Sequence, residues 1–313
     1  MERPVQFQSG DATLCGILHL PEDFKYRKPE IGFVFVHSGS RGRRGNTFQY
    51  PAYARYFADF GYPSLCFDPT GVADSTGEIE TCKVDDFYGT IQLGRFADDT
   101  LAGVQEFYRH VEPKKLVLFG ICGGAITALI AAPKLKHRVD GLVLMSIPVL
   151  IDSAQQSELD RIPREYARKY LLAMYARKLV SIKAWKRLLW RQSEVDTIWT
   201  MLKATLLGHG SRSSSSVEQT DDEDGKGTRF NRLFIDSLDT MVKHKSQVIF
   251  LFGDDDTFRW EFEREFYNNC WQKNPGYARQ CVVHYLPGCN HMFTMREWQK
   301  QALDLITPWL QKL

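Results

Sequence analysis

Short, unbroken apolar runs alternate with helix-period stretches along most of this chain. The runs at 31–37 (IGFVFVH), 63–68 (PSLCFD), 116–121 (LVLFGI), 139–147 (VDGLVLMSI) and 247–252 (QVIFLF) show no regular polar alternation. A strand without alternation needs apolar cover on both faces, as the strands of a parallel sheet have. Helical spacing fills the gaps, at 48–60, 96–110, 123–132, 257–271 and 294–311. The segment 12–20 (ATLCGILHL) does alternate, which suits an antiparallel edge hairpin leading into the parallel strands. Together these elements predict an α/β domain with right-handed crossovers and a covered sheet.

One stretch breaks the rhythm. From 152 to 207 no strand run occurs, only helical periodicity rich in Leu, Trp, Tyr and Arg. Between Arg161 and Arg191 ten Lys and Arg stand against a single acid, Glu165. The segment 211–227 (SRSSSSVEQTDDEDGKG) has almost no apolar residue to offset its ordering entropy and reads as a mobile loop. The expected organisation is a sheet core in two parts, 1–150 and 229–313, with a helical cap insertion over 151–228.

Composition narrows the class. A chain of 313 residues that is 43% hydrophobic and 25% charged has enough core to need no staple of metal or disulfide. Forty Lys and Arg against 38 Asp and Glu leave a net charge of +2, which argues against a general polyanion binder and against nucleic acid as partner. Seven scattered cysteines with no C-x-x-C pair speak against a disulfide framework and a zinc site. The first residues lack the basic-then-apolar pattern of a signal peptide, and no apolar run approaches the ~18 residues of a membrane span. A reducing, cytoplasmic setting is expected.

The sharpest local signal is Gly120-Ile121-Cys122-Gly123-Gly124, after an apolar strand and before the helical Ala125–Ile130. It is the G-x-nucleophile-x-G elbow in its strand–turn–helix context, with Cys at the nucleophile position. Glycines beside a strained nucleophile let strand and helix approach without a Cβ clash. The new helix turns its free N–H groups and positive dipole end toward the thiol, favouring thiolate.

Two further groups follow apolar runs. Gly253-Asp254-Asp255-Asp256-Thr257 comes directly after 247–252, and Pro287-Gly288-Cys289-Asn290-His291 comes after 282–286. Carboxylates at strand C-termini sit on the active edge of an α/β sheet, and the order nucleophile, acid, His is the one such an elbow uses. Asp256 is the first candidate for the acid, with Asp255 and then Asp152 as alternatives. His291 is the candidate base, whereas His284 lies within a strand pattern and reads as structural. The turn His37-Ser38-Gly39-Ser40-Arg41 after the first parallel strand can aim a backbone N–H at a developing oxyanion, from Ser38 or Gly39, with Gly123 N–H as the second donor. Arg41, and in the insertion Trp185, Arg187 and Arg191, are candidate substrate contacts.

At these residues the chain resembles the α/β-hydrolase superfamily over almost its whole length. The Asp68-Pro69-Thr70-Gly71-Val72-Ala73-Asp74-Ser75 segment is similar to that family's D-x-x-G-x-G-x-S stretch, with Ala73 in place of a usual glycine. Within the serine-aminopeptidase-like branch, the chain resembles most the hydrolases found with exosortase A systems. Those likewise carry Cys in the elbow and a basic helical insertion like 170–189, and end in a segment like Leu286–Thr294 followed by Glu297-Trp298. The resemblance implies an α/β-hydrolase fold, a mostly parallel sheet of about eight strands with helices on both faces and a helical cap insertion. It implies no metal and no organic cofactor.

The chemistry these residues suit is acyl-group hydrolysis of an ester or thioester through a covalent Cys122 acyl-enzyme. The same triad serves acyl transfer to an amine, thiol or alcohol, because a thioester intermediate reacts with each. A catalytically silent scaffold that binds a ligand or partner is the reading from a different class. The lopsided basic stretch suits a small-molecule or carrier-bound acyl substrate with an anionic arm, or an anionic membrane surface.

Overall fold

The apolar runs form strands covered on both faces. The structure is a computed structural model and describes residues 1–24, 28–37, 39, 42–79, 84–151 and 230–313. An N-terminal hairpin of β1 (Glu2–Ser9) and β2 (Ala12–His19) leads to β3 (Ile31–Val36), α1 (Gln49–Asp59), β4 (Ser64–Phe67), α2 (Val84–Gln92) and α3 (Ala97–His110). Then come β5 (Lys115–Ile121), α4 (Gly123–Ala131), β6 (Gly141–Met145), α5 (Arg232–Lys243) and β7 (Gln247–Asp255). The chain closes with α6 (Thr257–Glu261), α7 (Pro275–Gln280), β8 (Cys281–Asn290) and α8 (Arg296–Trp309).

These strands form one eight-stranded sheet in the order β1-β2-β4-β3-β5-β6-β7-β8. Strands β3 to β8 run parallel, while the hairpin adds to one edge antiparallel through β2 and β4. Because side chains alternate across a strand, each central strand feeds two cores. Val34, Val36, Leu118, Leu144 and Phe250 pack with α3, α4 and α5 on one side. Phe33, Phe35, Phe119, Met145 and Leu251 pack with α1 and α8 on the other. Burying each such side chain contributes roughly 1.5–3 kcal/mol, so this double cover dominates the fold's stability.

The order of strands also places the functional edge. From β3 the chain moves first to β4 on one side and then to β5 on the other, so β3 and β5 flank the switch point where α/β sheets open a crevice at their C-terminal ends. Beyond β6 the chain leaves the sheet at Leu150 and returns at Phe230, and those two residues pair in an isolated antiparallel bridge. Most of the expected cap insertion, with Asp152, Trp185, Arg187 and Arg191, lies outside the described residues, as do Ser38 and Arg41.

The structure differs from the sequence reading in three ways. The single helix expected over 257–271 is broken into α6, a π-helix over Phe262–Tyr267 and a short 3-10 turn over Trp271–Lys273. The wider π turn keeps Phe262 and Phe266, both fully buried, on one face, where Phe266 meets Phe234 of α5. Strands β7 and β8 run past their apolar runs to Asp255 and Asn290, so the acid and imidazole turns begin as strand ends rather than loops. Helices α2, α5 and α7 are present although the spacing did not single them out. Among the described residues no helix is long and apolar enough to cross a membrane.

Candidate active site

Cys122 sits between β5 and α4 with φ 57° and ψ −123°. Such a conformation costs on the order of 1–3 kcal/mol for a residue with a side chain. The surroundings hold it in place. Its N–H donates to Met145 O at 2.8 Å, its carbonyl accepts from Ala125 N–H at 2.9 Å, and all nine residues of α4 are buried. The helix starts this close to β3 only because residue 124 is glycine: a Cβ there would lie 2.1 Å from the Val36 carbonyl oxygen. Gly123 is the first residue of α4, so its N–H has no intrahelical partner, and the positive end of the helix lies at the partly exposed thiol.

Of the three aspartates that follow Gly253, Asp254 and Asp255 are exposed and Asp256 is fully buried. Asp256 caps α6, its Oδ1 accepting the Phe258 N–H at 3.0 Å. The same Oδ1 lies 2.9 Å from Nδ1 of His291, the arrangement in which Nδ1–H donates to the carboxylate and Nε2 is left for another partner. On that side the Cys122 side chain lies near enough to raise the imidazole pKa. Burial alone would push the His291 pKa down; the Asp256 charge and then the Cys122 sulfur outweigh it, and the net shift is well above the ordinary value. The ring is further held edge-on by Phe258, with centroids 4.6 Å apart. Backbone proximity makes this meeting possible: a Cβ on Gly253 would fall 2.2 Å from the Cys289 carbonyl oxygen, where the β7–β8 register shifts.

The structure thus brings Cys122, Asp256 and His291 together, and it keeps Asp255 out of that group. Asp255 pairs instead with Asn290 in the sheet. His284 lies in mid-β8 opposite Leu251, its pKa lowered by burial. Gly39, the described member of the two oxyanion candidates near β3, is buried with φ 76°. His37 is buried beside Tyr50, their rings edge to face at 4.4 Å.

Two contributors have contacts that the sequence did not assign, although Asp68 already stood in the resembling 68–75 stretch. Ser146, directly after β6, is fully buried with φ 47°. Its hydroxyl donates to Asp256 Oδ2 and also lies 2.9 Å from the His291 carbonyl, while its N–H donates to Leu251 O at 2.8 Å. A lone Ser ending the 139–147 run is the only sequence trace of this. The second is the buried Asp68, whose carboxylate accepts from both the backbone N–H and the guanidinium of Arg43 and so ties down the turn after β3. Arg43 reaches on to Asp74 at 2.7 Å. Ala73, between them, holds φ 50° where the resembling pattern has glycine. Among the described residues no group of three or more His, Cys, Asp or Glu is gathered to hold a metal ion.

Comparison with known proteins agrees with this architecture. A family model described as the alpha/beta hydrolase fold matches residues 33–258. No curated protein matches the chain significantly by sequence. Among solved structures, the esterase Pf2001 of Pyrococcus furiosus is similar at TM-score 0.60 and 14% identity, covering 100% of this chain and 91% of its own. A dienelactone hydrolase from Anabaena variabilis is similar at TM-score 0.55 and 13% identity over 100% and 97%. Proline iminopeptidase of Mycobacterium smegmatis is similar at 0.52 and 15% over 99% and 98%. At such identities the likeness is one of fold, and with the family model spanning most of the sheet it establishes that this chain belongs to the alpha/beta hydrolase fold family.

Proposed function

We propose that the protein hydrolyses a carboxylic ester or thioester through a covalent acyl-enzyme on Cys122. One observation carries this reading: the His291 imidazole has a buried carboxylate 2.9 Å from its Nδ1, and its pKa is raised by the Cys122 thiol, which sits on a strained strand-to-helix turn. The resemblance to exosortase A-associated hydrolases, which also use Cys in the elbow, supports the same choice of nucleophile.

The chemistry follows from the geometry. His291 Nε2 takes the Cys122 proton as sulfur attacks the acyl carbon, and Asp256 stabilises the imidazolium that forms. The Gly123 N–H and a second backbone donor from the turn at 37–39 hold the tetrahedral oxyanion; losing one such donor typically lowers the rate by about 10²–10³. Collapse breaks the bond to the leaving alcohol or thiol, which takes its proton from His291. Water, deprotonated by the same imidazole, then attacks the thioester and releases the acid and free Cys122. The Asp256 carboxylate raises the His291 pKa, which strengthens the imidazole as the base that takes the Cys122 proton.

Intact-mass spectrometry during turnover of a panel of p-nitrophenyl esters and acyl thioesters tests the proposal. Wild type should carry one acyl adduct, mapped to Cys122, and His291→Ala should lose it. An adduct spread over the other cysteines, or none with any substrate, would overturn the reading. Release of an acyl-amine or acyl-alcohol product when those acceptors are added would redirect it to transfer.

A further inference from the structure

The hydroxyl of Tyr50, buried on α1, stands between two strands of the sheet. The parallel ladder of β3 and β5 ends where Val36 faces Gly120. One step beyond, the Ile121 N–H donates to the Tyr50 hydroxyl at 3.0 Å, and that hydroxyl donates to the Val36 carbonyl at 3.0 Å. A phenol has one proton to give and lone pairs to accept with, so both bonds form at once. Burial pushes the phenol pKa far up, and the donor keeps its proton at any working pH.

Both partners lead directly into the candidate active site. Ile121 precedes Cys122, and the Val36 carbonyl belongs to the peptide that opens the turn carrying Gly39. The same carbonyl oxygen is the atom against which Gly124 packs. The ring itself is wedged among His37, Phe35 and Phe119, with centroids 4.4, 5.4 and 6.2 Å away.

We propose that Tyr50 is a positioning residue for the oxyanion site: its hydroxyl, set as an extra rung at the open end of the β3–β5 crevice, fixes the spacing between the two backbone donors. A direct rung would hold N and O about 2.9 Å apart, whereas a hydroxyl between them holds the crevice wider. An oxyanion is held only if both donors lie about 2.7–3.1 Å from one point, and a misplacement of ~1 Å can lower the rate about 10²-fold. The inference rests on the acyl-enzyme reading above.

The test uses Tyr50→Phe, which removes the hydroxyl and keeps the ring. Tyr53→Phe is the control, on the same buried helix face, with its ring 5.3 Å from Phe119 and a hydroxyl that has no hydrogen-bond partner among the described residues. Three quantities are measured: kcat and KM on the p-nitrophenyl ester that wild type turns over best, inhibition by the aldehyde of the same acyl chain, and the pH profile of Cys122 alkylation by iodoacetamide. Rates are expressed per alkylatable Cys122, so a partly folded preparation still answers. Tyr50→Phe should lower kcat roughly 10–100-fold and weaken aldehyde inhibition by a similar factor, with KM and the alkylation profile held. Tyr53→Phe should match wild type.

A kcat within about twofold of wild type for Tyr50→Phe, or equal losses in both variants, would overturn the proposal. Native hydrogen exchange needs no variant: the Ile121 amide must exchange as slowly as the ladder amides of β5, and exchange at loop rates overturns the bridge. If wild type forms no acyl adduct at Cys122, the functional reading fails. If wild type forms it and Tyr50→Phe is unaffected, only the role of Tyr50 fails.

Discussion

Three consecutive aspartates close β7 and cap α6, and burial separates their roles. Asp254 reaches outward to Arg259 at 3.0 Å, whereas Asp256 gives up solvent and is met by the Phe258 N–H, the Ser146 hydroxyl and the His291 imidazole. A buried carboxylate is tolerated only when its oxygens are matched in this way. The pairing has a definite pH signature. Folding raises the His291 pKa, so the imidazolium contributes stability that is complete below its unfolded value of about 6.5 and declines as pH rises through the higher folded value. Asp256→Asn keeps an N-cap residue but removes the charge. In a Cys122→Ala background, which removes the thiol from the comparison, the carboxylate should give a higher Tm than the amide. That Tm advantage should shrink as pH rises above about 6.5. An advantage constant across that range would refute the ion pair.

At the scale of elements, the site is made by strand ends that approach more closely than side chains normally allow. The start of α4 touches β3 at the Val36 carbonyl, and the end of β8 touches β7 at Gly253. The first contact predicts a strong effect from a small change. Gly124→Ala places a methyl 2.1 Å from a backbone oxygen, and the backbone on one side must move. Overpacking of this kind costs about 1–3 kcal/mol, and here the displaced atoms adjoin the proposed oxyanion donors. A lowered Tm together with a kcat loss of at least about tenfold is expected from thermal melts and ester kinetics; a variant with wild-type kcat would show that the spacing is unimportant. The broken helix after Asp256 belongs to this scale as well. Apolar spacing over 257–271 reads as one helix, but the rings of Phe262, Phe266, Tyr267 and Trp271 pack with centroids 5.1 to 6.4 Å apart and widen the turn.

For the whole molecule, the sheet supplies a scaffold covered on both faces, and the chain between β6 and α5 departs and returns at the Leu150–Phe230 bridge. The net charge of +2 is spread unevenly, since the stretch 161–191 holds ten Lys and Arg and one acid. If that stretch steers an anionic substrate arm, exchanging Arg187→Glu and Arg191→Glu should lower kcat/KM for an acyl-phosphopantetheine thioester roughly tenfold at low salt, with the loss shrinking as salt screens the field. Neutral p-nitrophenyl esters should be spared. Equal losses on both substrates would end the steering idea.

The double-faced strands and the elbow at Cys122 were legible before folding because they depend on neighbours a few residues away, and the order of thiol, carboxylate and imidazole is read directly along the chain. Period, turn chemistry and apolar runs are local quantities. Folding was needed to show which aspartate meets the imidazole, that the Ser146 hydroxyl donates to that carboxylate, and that Tyr50 links β3 to β5. Burial and cross-strand partners depend on how strands are ordered in the sheet: Tyr50 meets Ile121 and Ser146 meets Asp256 across long stretches of chain. No local pattern encodes such meetings, since they arise when the packing of the whole sheet brings distant strand ends to one edge.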